Sequence, residues 1–226
     1  MSVIDDILAD HTLVNQIEDE FDSVFESLAS EQNHYKGHPH ILCSGDQLYI
    51  KGRASLDMVK WKNGFITFQE VTGDAISFEY QGCLMARFCL DGVYYVAHIH
   101  CDMSQGIDRR FEWMDFITKN INNISELIMF KPGHHLINNP DLKSNVWGVI
   151  TRDGTCYSIE TYYCDRKTIL KSISKHLSYG IQYEDYSVLW KADFHGSFAS
   201  AVASWNRFWD RLSTEVIYPS HRCILI

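Results

Sequence analysis

Apolar and polar residues alternate in short runs through the middle of the chain, which is typical of β-strands. The strongest signal is Asp91-Gly92, which separates two apolar and aromatic runs and favours a two-residue hairpin turn. A turn there places Cys83 opposite His100 and Met85 opposite His98. Because side chains alternate between the faces of a strand, both histidines share a face with Cys83.

The same alternation predicts further strands on both sides of this hairpin. Turns are indicated at Asn63-Gly64, Gly73-Asp74 and Asp153-Gly154, and the last of these predicts a second hairpin. The run 75–81 has an apolar inner face and a polar face that includes Ser77 and Gln81. The other predicted strands cover 41–43, 47–51, 65–71, 146–150, 155–163 and 187–192.

Apolar residues at helical spacing predict four helices, at 3–31, 108–130, 165–176 and 197–214. Strands between early and late helices favour the α+β class, with a central antiparallel β-sandwich or sheet flanked by helices. We expect residues 1–32 to form an acidic amphipathic helix and residues 33–226 to form a single α+β domain.

Charge is concentrated at the N-terminus of this 226-residue chain, whose net charge is −9. Residues 1–32 hold nine acids and no Lys or Arg, so they form either a solvated helix face or a docking region for a basic partner. No basic patch is present, which argues against nucleic-acid binding. No stretch is apolar enough for a membrane span, and no signal-peptide pattern is present.

Seven cysteines without regular spacing indicate reduced thiols in a cytosolic setting. The last four residues, Cys223 to Ile226, match a prenylation pattern, but no polybasic run precedes them, so lipidation is not favoured. Zinc ligation by His98, His100, Cys101 and the loop pair His134-His135 is also disfavoured, since Cys101 points to the opposite face of a regular strand from the two hairpin histidines. We therefore expect neither a metal nor a cofactor.

The predicted hairpin carries a candidate catalytic pair. A thiol and an imidazole on directly opposed residues can share a proton, which makes a cysteine nucleophilic. The register favours His100 as the partner of Cys83 and keeps His98, on the diagonal, as the alternative. A buried cysteine that only fills space is the simpler interpretation of the same residues.

Gly82-Cys83 at a strand start, Ser77 six positions earlier and a histidine on the next strand resemble the catalytic arrangement of glutamine deamidases of the cytotoxic necrotizing factor type. The chemoreceptor glutamine deamidases and the Burkholderia lethal factor family share this layout. The resemblance covers residues 75–102. It departs from the Leu-Ser-Gly-Cys signature of that type, because Gln81 stands where serine is expected.

This resemblance implies a protein glutamine deamidase in which Cys83 is the nucleophile and the histidine is the base. Ser77 would orient the histidine, and groups at Gln81 and Gly82 would stabilise the oxyanion. An amine in place of water in the second step would make the enzyme a transglutaminase.

The resemblance further implies a bacterial effector or toxin, exported from the bacterial cytoplasm to the cytosol of a host or target cell. Its partner would be a protein carrying the target glutamine, and the oligomeric state stays open. A Cys–His protease and a non-enzymatic acidic binding or immunity-type protein are the alternatives that the residue types leave standing.

Overall fold

The structure is a computed structural model that describes residues 2–27, 33–50, 52, 55–80, 82–102, 106–135, 144–176 and 214–218, without the side chains of 24–27, 102 and 134–135. Four features predicted from the sequence lie outside this part of the chain. They are Gln81, the strand at 187–192, the helix at 197–214 apart from its last residue, and Cys223.

Two mixed β-sheets form the body of the described chain and pack in a sandwich-like arrangement. The five-stranded sheet contains, in spatial order, β1 (Ile41–Cys43), β4 (Ile66–Glu70), β7 (Val93–Ile99), β6 (Leu84–Leu90) and β10 (Ile124–Phe130). The seven-stranded sheet contains β14 (Thr214–Tyr218), β13 (Lys167–His176), β12 (Cys156–Cys164), β11 (Ser144–Ile150), β5 (Ala75–Ser77), β3 (Leu56–Val59) and β2 (Gly45–Leu48).

A two-stranded pair and three helices complete the described chain. The pair is β8 (Cys101–Asp102) with β9 (Ile107–Asp108), and the helices are α1 (Val3–Ala9), α2 (Leu13–Ser27) and α3 (Arg110–Lys119). The strands β1 and β4, and likewise β3 and β5, run parallel. Helices outside two largely antiparallel sheets confirm the α+β class. Among the described residues, no helix has the length and apolar character that a membrane span requires.

The hairpin at Asp91-Gly92 has the predicted register. Met85 pairs with His98, and both turn residues have positive φ (51° and 82°), as a type I′ turn requires. The ladder ends at the pair Leu84 and Ile99. Cys83 and His100 therefore lie one step beyond the last paired residues.

Three apolar clusters fill the structure. The first lies between α3 and the five-stranded sheet, and the second lies between the N-terminal helices and the seven-stranded sheet, where the rings of Phe21 and Phe78 are 4.0 Å apart. The third draws residues from both sheets and includes Tyr80, Cys83 and Met85. The candidate catalytic cysteine therefore belongs to the core of the sandwich.

Three of the predicted helices differ from the structure. The segment 3–31 contains two helices, because Asp10 is extended and its carboxylate accepts a hydrogen bond from the Thr12 amide. The prediction for 108–130 was wrong after Lys119, since residues 124–130 form β10 beside β6. The helix predicted at 165–176 is the strand β13, which follows a tight turn with positive φ at Asp165 and Arg166.

Candidate functional site

A hydrogen bond between Ser77 and His98 connects the two sheets. Ser77 lies on β5 of the seven-stranded sheet, and His98 lies on β7 of the five-stranded sheet. The Ser77 Oγ is 2.9 Å from the His98 Nδ1, and the direction of donation depends on the imidazole tautomer. Both side chains are almost completely buried.

The second ring nitrogen of His98 is buried and has no hydrogen-bond partner among the described residues. Burial and, to a smaller extent, the nearby His100 together lower the pKa of His98 to about 3. The imidazole is therefore neutral at neutral pH and is a weak base while the site stays closed. With the Nδ1 hydrogen donated to Ser77, Nε2 is the nitrogen that is left to accept a proton.

Tyr80 covers one face of this imidazole. Its ring lies 4.2 Å from the His98 ring with planes only 14° apart, and it is fully buried. Burial raises the pKa of Tyr80 well above 10, the Ser77 hydroxyl opposes that rise, and the nearby Cys83 adds to it. Ser77, Tyr80, Cys83 and His98 thus form one buried polar group inside the sandwich.

Cys83 lies immediately before β6 and is 4% exposed. It is two positions before Met85, the residue paired with His98, so it occupies the diagonal position on the same face. Its Sγ accepts a hydrogen bond from the Cys101 amide, at 3.4 Å. An amide donor at this position favours the thiolate over the thiol.

Gly82 allows the chain to approach Cys101 closely. A Cβ atom at Gly82 would lie 2.9 Å from the Cys101 carbonyl oxygen, a distance that real Cβ contacts essentially never show. The carbonyl is a backbone atom, so a larger residue would force the two segments apart. A glycine before Cys83 therefore permits the contact between the Cys101 amide and the thiol.

His100, which the hairpin register favours as the catalytic base, contacts Gly64 and Trp61. Its Nδ1 accepts a hydrogen bond from the Gly64 amide at 3.3 Å, and its ring lies 5.8 Å from the ring of Trp61. The hairpin register alone favoured His100, but Ser77 bonds to His98. The structure therefore brings together Ser77, Cys83 and His98 of the predicted site, while Gln81 lies outside the described residues.

The buried group is closed to solvent. A large cavity of about 600 Å³ lies beside α1, and a small one of about 20 Å³ lies beside β12 and β13; neither is lined by Cys83 or His98. Within the described part of the chain, no three or more His, Cys, Asp or Glu side chains are placed to hold a metal ion.

Sequence reasoning missed a second buried polar cluster, which lines the small cavity. Ser158 and His176 are 2.6 Å apart (Oγ to Nε2), and Lys171 Nζ lies 2.5 Å from Glu160 Oε1. His176 and Lys171 were assigned to a helix, whereas they lie on β13 beside β12. The alternation of Ser158 and Glu160 along one strand was the signal that could have found this cluster.

Comparisons of this chain with protein-family models, with curated proteins and with solved structures give no match. The geometry around Cys83 is therefore the basis for assigning a function. That geometry consists of a buried thiol, a neutral imidazole on the neighbouring strand, and a serine from the opposite sheet that is bonded to the imidazole.

Proposed function

We propose that this chain is a cysteine-dependent protein glutamine deamidase, with Cys83 as the nucleophile, His98 as the general base and Ser77 as the residue that positions His98. The observation that carries this proposal is the 2.9 Å bond between Ser77 Oγ and His98 Nδ1. It holds a neutral imidazole on the hairpin face that also carries Cys83. Covalent catalysis needs a nucleophile, a base within its reach and a group that orients the base, and Cys83, His98 and Ser77 supply these three residue types.

Activation of the thiol follows from the tautomer in which His98 donates its Nδ1 hydrogen to Ser77. Once a local opening hydrates the site and relieves the burial that depresses the pKa of His98, the Nε2 lone pair accepts the proton of Cys83, and the Cys101 amide stabilises the resulting thiolate. The thiolate attacks the side-chain carbonyl carbon of a glutamine. Backbone amides near Gly82 and Cys83 would stabilise the oxyanion of the tetrahedral intermediate.

Collapse of the intermediate breaks the carbon–nitrogen bond, and ammonia leaves with the proton that His98 accepted. Water then attacks the thioester with His98 as the base, and the Cys83 thiol leaves. The product is glutamate, which adds one negative charge to the target protein at neutral pH. Attack by an amine instead of water would give the transglutaminase reaction.

Access to Cys83 requires a local opening, since the residue is 4% exposed. A glutamine side chain has to displace some of the core that covers the thiol before attack is possible. Local openings of this kind occur in folded proteins at free energies below that of global unfolding. The rate at which a small alkylating reagent labels Cys83 measures this opening directly.

The test compares Cys83→Ala with Cys89→Ala, a matched control that lies on β6 and is almost equally buried. Each folded variant is incubated with proteins of a bacterial and a human cell lysate, and mass spectrometry scores the conversion of glutamine to glutamate. We expect conversion by the wild type and by Cys89→Ala but not by Cys83→Ala. Conversion that persists in Cys83→Ala, or no conversion by the wild type, contradicts the proposal.

A thiol measurement with iodoacetamide separates the proposal from its main alternative. Fast labelling of Cys83 that depends on His98 is expected of the enzyme. An unreactive Cys83 in a folded chain favours a non-enzymatic binding protein instead. Chain cleavage in the lysate proteins, rather than deamidation, would identify a Cys–His protease.

A further inference from the structure

Cys83 and Cys101 lie against one another where the hairpin ladder ends. Both are reduced, and the Cys101 amide donates to the Cys83 Sγ at 3.4 Å. Gly82 also lies close to the Cys101 carbonyl oxygen, so the amide and the carbonyl of Cys101 are both near the segment 82–83. This juxtaposition is a property of the folded hairpin, because eighteen positions separate the two cysteines along the chain.

The Cys101 backbone lies close to the Cys83 sulfur. An N–Cα bond is about 1.46 Å long, so the Cys101 Cα lies no more than about 4.9 Å from the Cys83 Sγ. Disulfides connect Cα atoms that are roughly 4.4–6.8 Å apart. To form one here, the Cys101 thiol has to leave the Asp108 side chain, to which it is hydrogen-bonded, and rotate towards Cys83.

We propose that Cys83 and Cys101 form a reversible disulfide when the protein meets a peroxide, and that this modification switches off the Cys83 site. The formation of the bond follows from the juxtaposition of the two cysteines. The loss of activity rests in addition on the proposed function, in which Cys83 is the nucleophile.

A two-step oxidation needs one thiol that reacts with the peroxide and a second thiol that then forms the disulfide. Cys83 and Cys101 can be assigned to these two roles. Burial raises the pKa of Cys101, and the positive charges of Arg110 and Lys131 only partly oppose this rise. Cys101 therefore stays protonated at neutral pH and acts as the resolving thiol. Burial opposes ionisation of both thiols. We assign the first reaction to Cys83 because the Cys101 amide contacts its sulfur and because it lies on the hairpin face of His98.

The oxidation balances with hydrogen peroxide as the oxidant. The Cys83 thiolate attacks one peroxide oxygen, the oxygen–oxygen bond breaks, and hydroxide leaves to give a sulfenic acid. The Cys101 sulfur then attacks the Cys83 sulfur, the sulfur–oxygen bond breaks, and the hydroxide departs with the Cys101 proton as water. Both sulfurs are oxidised by one electron each, and the peroxide is reduced to two molecules of water. A dithiol reductant reverses the reaction.

Peroxide is small enough to reach Cys83 through a smaller opening than a protein substrate needs. Cys101 is partly exposed and lies at the surface end of the contact, whereas Cys83 is 4% exposed. A disulfide at this position would remove the nucleophile without a change in the rest of the core. It would also join the start of β6 to the start of β8 and so restrict the opening that a substrate needs.

The test treats the reduced, full-length protein with hydrogen peroxide, blocks the remaining thiols with iodoacetamide, and maps all cysteines by mass spectrometry after digestion. We expect parallel loss of Cys83 and Cys101 labelling, a cross-linked Cys83–Cys101 peptide, and recovery of both after treatment with dithiothreitol. Cys101→Ser should lose the cross-link and leave a Cys83 sulfenic acid that dimedone traps. Cys89→Ser should form the cross-link as the wild type does.

Two outcomes overturn the inference. In the first, Cys83 and Cys101 both stay reduced at a peroxide concentration that forms the disulfide of a control protein with a known redox-active cysteine pair. In the second, peroxide joins Cys83 to a cysteine other than Cys101. Deamidase activity separates this inference from the proposed function. A disulfide in a chain without deamidase activity removes the proposed function alone, whereas full activity of the oxidised protein removes the switch alone.

Discussion

The Ser77 hydroxyl and the His98 imidazole form a 2.9 Å hydrogen bond that crosses from one sheet of the sandwich to the other. The bond joins residues 21 positions apart, and both are fully enclosed by the core. It therefore orients the imidazole and also ties the two sheets together. Removal of either partner should change both the chemistry of Cys83 and the stability of the chain.

We expect Ser77→Ala to destabilise the fold by about 1–3 kcal/mol, because it leaves a buried imidazole nitrogen without its partner. If His98 is the base, the same change should also slow the labelling of Cys83, since the imidazole loses its fixed orientation. Urea unfolding and iodoacetamide kinetics measure the two effects. Ser77→Thr, which retains the hydroxyl, should restore the labelling rate; equal labelling in Ser77→Ala and the wild type would contradict the positioning role.

The two histidines of the hairpin should behave differently. His98→Gln removes the proposed base and should lower deamidation by roughly 10²–10⁴-fold, the usual contribution of general acid–base catalysis. His100→Gln, which removes an acceptor of the Gly64 amide, should keep most of the activity. Initial rates of ammonia release from a glutamine-containing substrate that the wild type deamidates provide the measurement. If His100→Gln loses more deamidase activity than His98→Gln, then His100 is the base, as the hairpin register alone favours.

Gly82→Ala should disturb the approach of Cys101 to Cys83. The added Cβ would lie 2.9 Å from a backbone oxygen that cannot rotate away, so we expect destabilisation of about 1–3 kcal/mol from overpacking. Gly73→Ala is the matched control, because nothing lies within 4 Å of a Cβ at that position. Thermal unfolding of the two variants makes the comparison. An equal loss of stability in both would show that the chain accommodates a Cβ at Gly82 without a clash with the Cys101 carbonyl oxygen.

The buried pair of Glu160 and Lys171 provides a test of the seven-stranded sheet. Lys171→Met leaves the Glu160 carboxylate buried without its main partner and should cost about 3–5 kcal/mol of unfolding free energy. The exposed pair of Lys119 and Asp115 is the control, and Lys119→Met should cost less than about 1 kcal/mol. The double variant Glu160→Gln, Lys171→Met should recover part of the loss. Equal effects at the buried and exposed pairs would contradict the burial of Glu160.

Stability should fall as the pH rises from about 4.5 to about 7, on account of Glu18. Burial raises the pKa of this carboxyl from 4.5 to about 7, and the negative charges of Asp22, Glu79 and Asp19 add to the rise. The folded chain keeps this proton over an interval in which the unfolded chain releases it, so protonation stabilises the fold at the acidic end and that stability is lost towards pH 7.

Glu18→Gln should flatten this part of the pH profile of the melting temperature, and Glu20→Gln, on the same helix, should leave it unchanged. Calorimetry at several pH values makes the comparison. A profile of Glu18→Gln that is parallel to that of the wild type would show that Glu18 is ordinarily solvated.

The sequence by itself determined the local geometry of the hairpin. An Asp-Gly turn admits positive φ at both positions, and the period of two along a strand then places Cys83, Met85 and His98 on one face. The hairpin at Asp153-Gly154 was predictable for the same reason. Both depend on interactions between residues that are close along the chain.

Tertiary structure decided the rest of the candidate site. Residues 124–130 and 167–176 contain apolar positions that fit either period, and pairing with β6 and β12 makes them strands. The choice between His98 and His100 depended on the packing of one sheet on the other, which places the Ser77 hydroxyl against His98. No spacing within one strand encodes a contact between two sheets, because that contact is set by how the side chains of both sheets fill the space between them.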